Sequence, residues 1–395
     1  MGRVIKRSHE RLVDKKRHGR TAMAMFKSLL EANIVEIKVD ADADGGDGGR
    51  KRVLLHQDLQ IDFSLNQTLS LYLVDTLELL AAESETYALD LLTLVESILE
   101  DPDLVLMKQT DLLKTQKMAE LKAAGVEYDE RIAELDKIEY PKPNKDFIYD
   151  TFNAFARKHP WVGTENIRPK SVARDMYEKF LSFSEYVREY ALERGEGVLL
   201  RYLSDVYKVL LQSVPAAYQT PEVAELIVYF GAMVRQVDSS LLDEWERLRS
   251  GEGPASLHAG DADVPAEPEG SKDITRDPRA FTVLVRNELF RLVRAAARRD
   301  WDELATLCEL GGEWPRSRLE ATFEPFFAEH RELRTDPTAR STTRLTLVPG
   351  DYQWDFSQVL VDGDDACDWV IQGSIDIEAS RMEARPVVRV KGIGM

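Results

Sequence analysis

The spacing of apolar residues changes twice within the first 58 positions. From Met23 to Leu30 apolar residues recur at helical intervals, which predicts a helix over about residues 18–32. Two short runs follow, at 34–39 and 52–55, on either side of a turn rich in Gly and Asp. These runs predict two strands joined in a hairpin.

The order helix, strand, loop, strand is typical of the back half of a winged-helix unit. A complete unit needs two or three helices before its hairpin, and residues 1–58 leave no room for them. We therefore expect a partial winged helix over 1–58, and a chain that starts inside a domain.

From Leu59 to about Trp245 the pattern is helical almost throughout, with prolines at the element boundaries. Within it, residues 103–139 form a charged, lightly amphipathic helix pair that is broken near Gly125. We expect a helical bundle over 59–250. Residues 251–278 hold seven acids, many Gly and Pro and no aromatic residue, so they cannot bury enough apolar surface to order themselves. This stretch predicts a flexible linker.

After the linker, three amphipathic helices are predicted near 281–293, 301–310 and 318–330. Four alternating runs follow, at 344–348, 352–361, 369–378 and 386–391. Helices followed by a strand meander predict an α+β domain over 279–395, with helices on one face of an antiparallel sheet. This element order is similar to the cone-shaped fold of nuclear transport factor two and its relatives. The predicted fold class is therefore a mainly α-helical bundle, preceded by a partial winged helix and followed by this C-terminal α+β domain.

Composition narrows the class of protein. The 395 residues carry a net charge of −18 with 44% hydrophobic residues, which excludes a generic nucleic-acid coat and a disordered chain. The only cysteines, Cys308 and Cys367, are too few for a zinc cluster and indicate a reducing compartment. No apolar run reaches the ~18 residues of a membrane span. We expect a soluble, cytoplasmic protein without a membrane partner.

The charge is distributed unevenly along the chain. Residues 1–27 hold nine Lys and Arg against Glu10 and Asp14, a net charge of +7, so the remaining residues carry −25. Such a basic head, which includes Lys15, Lys16, Arg17 and Arg20, suits contact with a polyanion at one place and repulsion elsewhere. A solvated helix explains the same charges without a ligand.

No catalytic centre is visible in the sequence. It has no Gly-x-x-x-x-Gly-Lys-Ser/Thr loop to hold phosphates, and the acidic run 243–246 is explained as the solvated face of a helix. The turn that begins at Asp40 imitates the opening of a calcium loop, but Lys51 stands where a bidentate Glu is required. The run 362–365 is best explained as a hairpin turn.

The most informative stretch is 159–212. Ser182 and Glu185 have the spacing of a capping box that opens a helix. The last helix has one apolar face, which leaves its polar residues on the other face. That polar face consists of Arg201, Ser204, Asp205, Lys208 and Gln212. It could lie along a nucleic-acid strand or simply meet water.

This stretch, with its Phe183-Ser184-Glu185 segment and its Glu196-Gly197 turn followed by Leu199 and Arg201, resembles the C-terminal helical bundle of Ski-type, exosome-associated superfamily II helicases. The whole chain looks closer still to the C-terminal half of bacterial DEAD/DEAH-box helicases of that lineage. The other matching pieces begin at Arg7, Tyr87, His159, Arg235 and Phe281, so the resemblance covers nearly the full length.

The resemblance implies a nucleic-acid-guiding accessory region of an ATP-dependent helicase. In that family two motor domains bind ATP and Mg²⁺, and one bundle helix acts as a ratchet under the translocating strand. Neither motor domain is in this sequence, so the resemblance implies no cofactor for this chain. It implies weak binding of single-stranded RNA or DNA, and motor domains that act in trans. Arg201 matches the arginine of the family turn, whereas one turn later Asp205 replaces a residue that is often basic. The candidate nucleic-acid-binding residues are Lys15, Lys16, Arg17, Arg20, Arg174, Arg201 and Lys208.

Two other hypotheses remain open. The acidic bundle and the C-terminal domain could form a protein-interaction module, an adaptor without nucleic-acid contact. A ligand-binding or enzymatic pocket in the C-terminal domain is the third, although no acid/base pair can be assigned in 279–395. The arginines 286, 294 and 298 share one helix face, which meets solvent, nucleic acid or the acids of a partner.

Overall fold

A computed structural model gives the fold of this chain. It describes residues 2–40, 50–56, 59, 63–65, 67–84, 86–163, 165–179, 181–237, 273–308, 314–336, 339, 342–363 and 367–395. Within these ranges the chain is mostly helical, with fifteen α-helices and a small antiparallel sheet near the C-terminus. None of the described helices combines the length and the apolar character needed to cross a membrane.

The chain divides into two compact units. The first contains residues 1–174 and 190–227, and the second contains 175–189 and 228–395. The elements that begin in the first unit are α1 (Gly2–Arg7), α2 (Leu12–Glu31), β1 (Val35–Asp40), β2 (Arg50–Leu55), α3 (Ser70–Leu77), α4 (Tyr87–Ser97), α5 (Asp103–Ala123), α6 (Tyr128–Leu135), α7 (Lys145–Lys158), α8 (Ala173–Glu178), α10 (Glu196–Gln212) and α11 (Pro221–Val237). Helices α8 and α11 each continue into the second unit, which also holds α9 (Phe183–Glu189).

The core of the first unit is built where amphipathic helices α3, α4, α7 and α10 cover one another. Tyr72 of α3 is fully buried, and its hydroxyl lies 2.8 Å from the Thr151 hydroxyl of α7 and donates to the Ile148 carbonyl. Burial raises the pKa of Tyr72 to about 12, so this hydroxyl stays protonated. The break between α5 and α6 falls at Gly125, whose φ of +70° favours glycine, as the sequence predicted.

The hairpin β1–β2 pairs antiparallel, with Val35 opposite Leu55 and Asp40 opposite Arg50. It is a two-stranded sheet, and several of its apolar side chains stay in solvent, among them Ile37, Val53 and Leu55. The predicted calcium-like turn at 41–49 lies outside the described residues, as does the acidic run 243–246.

The second unit packs helices against one sheet. Its further elements are α12 (Pro278–Ala297), α13 (Trp301–Cys308), α14 (Arg316–Glu329), β3 (Leu345–Val348), β4 (Gln353–Leu360), β5 (Trp369–Asp376), α15 (Ile377–Glu383) and β6 (Val387–Gly394). The strands pair antiparallel in chain order, β3-β4-β5-β6. Phe281 of α12 meets Trp354 of β4 edge to face with ring centroids 4.9 Å apart, so this helix lies on the sheet and closes the core.

The antiparallel meander after the helices is confirmed, with one correction. The run predicted at 369–378 stops at Asp376, because the Asp376 side chain accepts the Ala379 backbone N–H at 2.9 Å and so caps a short helix, α15. Of the predicted linker, residues 251–272 lie outside the described residues. Its last residues, by contrast, contact other parts of the second unit: Asp273 pairs with Arg381 at 3.1 Å, and Asp277 caps α12.

Candidate nucleic-acid interface

The predicted basic head forms the N-terminal half of α2. Lys16, Arg17 and Arg20 are exposed there, and Lys15 is half-buried. Arg17 pairs with Asp14 at 3.2 Å, although its side chain keeps 71% of its surface in solvent. Lys15 donates to the Lys6 carbonyl at 3.1 Å. The structure therefore keeps these four cations on one helix with little internal neutralisation.

Helix α2 is anchored through its C-terminal half. The buried Ser28 hydroxyl lies 2.7 Å from Nδ1 of His159 and accepts a hydrogen bond from the Trp161 indole N–H at 3.2 Å. Leu12 and Val13 at the other end are more than three-quarters exposed. The cations thus lie on the part of α2 that packs least.

The predicted polar face of α10 is mostly covered. Ser204 and Gln212, which the sequence placed toward solvent, are buried, and this part of the prediction is wrong. The buried Ser204 hydroxyl donates a hydrogen bond to the Leu200 carbonyl at 2.8 Å. Arg201 is exposed, and its guanidinium lies 3.3 Å from Glu100, which is itself exposed.

Asp205 and Lys208 are half-buried on the same side of α10. Burial raises the pKa of Asp205 above its ordinary value, while the positive charges of Lys208 and Arg201 work to lower it. The structure therefore brings Arg201 and Lys208 together around one carboxylate. That carboxylate reduces the positive potential which either cation could offer to a strand.

The structure places Arg174 differently from the other six candidates. Its side chain is only 14% exposed, and its guanidinium donates to Thr93 at 2.9 Å and to Asp90 at 3.3 Å. Because both acceptors lie on α4, this arginine joins two parts of the first unit. It is therefore not available as a surface contact, which corrects its place among the candidates.

A buried carboxylate beside Arg174 was missed by the sequence analysis. Glu96 is fully buried and accepts the backbone N–H groups of residues 172–174, at 2.7–3.0 Å, and the Tyr202 hydroxyl at 2.8 Å. Burial raises the pKa of Glu96, and its four hydrogen bonds work to lower it. The carboxylate joins α4, the first turn of α8 and α10. The only signal in the sequence was a Glu that directly follows the apolar residues 94–95 of α4.

A buried lysine lies close by. Lys170 has no exposed side-chain surface, and its ammonium group reaches Asp101 at 2.9 Å, the Leu99 carbonyl at 2.9 Å and the Arg168 carbonyl at 3.1 Å. Burial lowers the pKa of Lys170, and Asp101 opposes that shift. Since all three ammonium protons have acceptors, Lys170 is a structural residue here.

In the second unit the predicted capping box is confirmed. The Ser182 backbone N–H donates to the Glu185 carboxylate at 2.8 Å, and the Glu185 N–H donates to the Ser182 hydroxyl at 3.3 Å. The other Glu185 oxygen pairs with Arg294 at 2.5 Å. Of the arginine face on α12, Arg294 therefore meets an acid of its own chain, whereas Arg298 is exposed.

Comparison with known proteins gives one match. A sequence model described as a domain of unknown function, DUF3516, matches residues 1–393. Searches of curated proteins and of solved structures found no significant match.

Proposed function

This chain belongs to the DUF3516 family, and we propose that it acts as a nucleic-acid-guiding accessory region of an ATP-dependent helicase. The observation that carries the proposal is the basic half of α2. It presents Lys16, Arg17 and Arg20 to solvent on a chain whose total charge is −18.

Electrostatics supports this placement. Exposed Lys and Arg bind the phosphate backbone without reading its sequence, because each neutralised phosphate releases a counterion. The negative charge of the rest of the chain repels a strand, so a strand that binds is directed toward α2. Such an element can hold and orient a strand next to a motor.

Arg201 is the second contact in the proposal. It lies at the solvent side of α10, where the exposed Glu100 competes for its guanidinium. An exposed ion pair of this kind contributes little to stability, so a phosphate can replace the carboxylate at small cost. Lys208 is half-buried near Asp205 and adds to the positive charge on this side of α10.

We further propose finer fold assignments. Helix α2 and the hairpin β1–β2 form the last part of a winged helix. Helix α10 takes the position of the ratchet-type helix. Helices α12, α13 and α14 with the four-stranded meander adopt the cone-shaped arrangement of nuclear transport factor two. The element order supports each assignment.

ATP and Mg²⁺ belong to the motor in this proposal. The sequence has no phosphate-binding loop, and the part of the chain that the structure describes brings together no three His, Cys, Asp or Glu side chains that could hold a metal ion. We therefore assign nucleotide hydrolysis to the motor domains. The motor domains would act in trans, as partners of the first unit.

One experiment tests the proposal. Fluorescence anisotropy of a labelled single-stranded oligonucleotide should show binding at low salt, which weakens to dissociation constants of about 10⁻⁴–10⁻⁶ M, the range of non-specific contacts, at physiological salt. Reversal of Lys15, Lys16 and Arg17 to Glu should weaken binding uniformly across sequences. The charge-matched control reverses Lys122, Lys137 and Lys145, three exposed lysines on other parts of the first unit. Equal losses in the two variants would mean that net charge, and not α2, governs binding.

A second candidate function rests on apolar surface. Val4, Leu12, Val13, Val53 and Leu55 are all exposed in the N-terminal part of the first unit. Exposed apolar residues gathered in one segment are typical of protein docking, so an adaptor role remains the alternative. An adaptor predicts no oligonucleotide binding at low salt.

A further inference from the structure

The second unit gathers four arginines around one cavity. Arg294, Arg298 and Arg299 come from the last turn of α12 and the residues after it, and Arg331 follows α14. The cavity has a volume of about 330 Å³, and Glu332 is its single acidic side chain. The cavity is thus lined by four arginines and one acid, on a chain whose net charge is −18.

Arg294 forms the fixed wall of the cavity. Its side chain is 11% exposed, and its guanidinium is held by Glu185 at 2.5 Å and by the Lys179 carbonyl at 2.9 Å. The Nε of Arg294 is buried without a hydrogen-bond acceptor in the described residues. Burial lowers the pKa of Arg294, the charge of Glu185 works to raise it, and the nearby charge of Arg298 lowers it by less than burial does. Repulsion from Arg298 is thus one of the costs that an anion in the cavity would relieve.

The other three arginines are exposed and form no ion pair within the described residues. The guanidinium of Arg299 lies over the Phe327 ring, 4.2 Å from its centroid, which positions it beside the cavity. Arginines elsewhere in this unit do find acids: Arg316 pairs with Asp302 at 2.6 Å, and Arg389 pairs with Asp376 at 2.8 Å. The cavity is therefore where unneutralised guanidinium groups collect.

The helix dipole accounts for part of this arrangement. Cations are favourable near a helix C-terminus, and Arg298 and Arg299 lie at the end of α12. Arg331 follows the C-cap of α14, so a second helix end favours this cation in the same way. A helix end carries only about half a negative charge, so two helix ends leave most of the charge of the three unpaired guanidinium groups without a counter-charge, which an anion would supply.

We propose that this cavity binds the diphosphate group of a small ligand, either free or carried by a nucleoside. Planar guanidinium forks match phosphate oxygens in pairs, and three unpaired guanidinium groups balance the roughly three negative charges of a diphosphate. A volume of about 330 Å³ is at the lower end of the range for small-ligand sites. This site shares no residue with the interface on α2 and α10 and does not depend on the proposed function.

Isothermal titration calorimetry on the full chain tests the site, with pyrophosphate, ADP and AMP as probes. The double variant Arg298→Ala/Arg331→Ala removes two exposed cations, so it should fold normally. Arg316→Ala/Arg389→Ala is the charge-matched control, since both are exposed arginines of the same unit that do not line this cavity. We expect saturable pyrophosphate binding to the wild type and the control, and at least a tenfold loss in the double variant.

The probes separate the sources of the diphosphate. If ADP binds as tightly as pyrophosphate while AMP is at least tenfold weaker, the site takes a nucleoside-borne diphosphate; if ADP is weaker than pyrophosphate, it takes the free anion. No saturable pyrophosphate binding, or equal binding by the double variant, overturns the proposal. An oligonucleotide titration of the same variant keeps the two proposals apart, because Arg298→Ala/Arg331→Ala should leave strand binding unchanged. Weaker strand binding without any pyrophosphate binding would make the arginines a strand contact and overturn the diphosphate site.

Discussion

Cations of the first unit occur in two opposite settings. On α2, Lys16 and Arg20 stand in solvent with no hydrogen bond or ion pair to the described residues. In the segment before α8, by contrast, Lys170 is fully buried and every ammonium proton has an acceptor. The same residue type therefore serves two purposes. A buried lysine whose ammonium group has all its hydrogen-bond acceptors fixes the packing of loops. An exposed lysine without such acceptors can bind an anion.

The comparison is sharpest between two glutamates one turn apart. Glu96 accepts four hydrogen bonds in the interior, while Glu100 is 86% exposed and pairs with Arg201. Glu96→Ala would leave buried donors without an acceptor, so we expect a loss of about 3 kcal/mol in the free energy of unfolding. Urea denaturation measures this loss.

Glu100→Ala is the control for that measurement, and it should change the free energy of unfolding by less than about 0.5 kcal/mol. Equal effects of the two substitutions would show that the hydrogen bonds to Glu96 do not determine the stability of this region.

A second pair of residues extends the comparison to the second unit. Arg294→Ala removes the closest ion-pair partner of Glu185, which is 6% exposed, and leaves Arg291 at 3.3 Å and the capping-box hydrogen bonds from Ser182. We expect a loss of about 2 kcal/mol, somewhat below the usual cost of breaking a buried pair, because Arg291 remains. Arg298→Ala, one turn later and exposed, should stay within about 0.5 kcal/mol. Urea unfolding monitored by tryptophan fluorescence would show the difference, and a larger effect at Arg298 would contradict it.

The sequence predicted the local contacts and missed the distant ones. The Ser182–Glu185 capping box spans three residues, and the helix break at Gly125 follows from a single backbone preference, so both could be read from the pattern. The bonds from Val172 and Tyr202 to Glu96 join residues 76 and 106 positions apart. Such contacts depend on how helices pack, which neither spacing nor composition specifies.

The same limit explains the errors at the interface. The pattern of α10 showed one apolar face, but neighbouring elements also cover much of the opposite face, so Ser204 and Gln212 are buried. Arg174 looked like a surface cation because its acceptors, Asp90 and Thr93, lie far away in the sequence. The basic half of α2 was predictable because few elements pack against it.

Acid titration should also distinguish buried from exposed charged residues of the first unit. Burial works to raise the pKa of Asp101, but the hydrogen bonds and charges of Arg168 and Lys170 outweigh it and hold that pKa below its usual value of 3.8. A carboxylate whose pKa is lower in the folded state stabilises the fold above the unfolded value and loses this contribution as the pH falls through the folded value. The stability difference between wild type and Asp101→Asn should therefore be constant from pH 7 to about pH 5 and shrink below about pH 4. Urea midpoints across this range measure it, and Glu100→Gln serves as the exposed control. A difference independent of pH would show that the charge on Asp101 is not what Lys170 requires.

The smallest expected effect on stability belongs to α2 itself. Lys16→Ala, Arg17→Ala and Arg20→Ala together should change the free energy of unfolding by less than about 0.5 kcal/mol, because these side chains are exposed and Arg17 alone has an ion pair, a local one with Asp14. Their effect should appear instead in the salt dependence of oligonucleotide binding.

Each phosphate contact contributes about 0.7 to the slope of log affinity against log salt for a single strand, so losing three contacts should lower that slope by roughly 2. Anisotropy titrations at several salt concentrations give the slope directly. The alanine triple at Lys122, Lys137 and Lys145 removes the same charge from exposed positions outside α2 and should leave the slope nearly unchanged. If both triples lowered the slope equally, the strand would be responding to the overall charge of the chain, and the exposed cations of α2 would be no more than a solvated helix face.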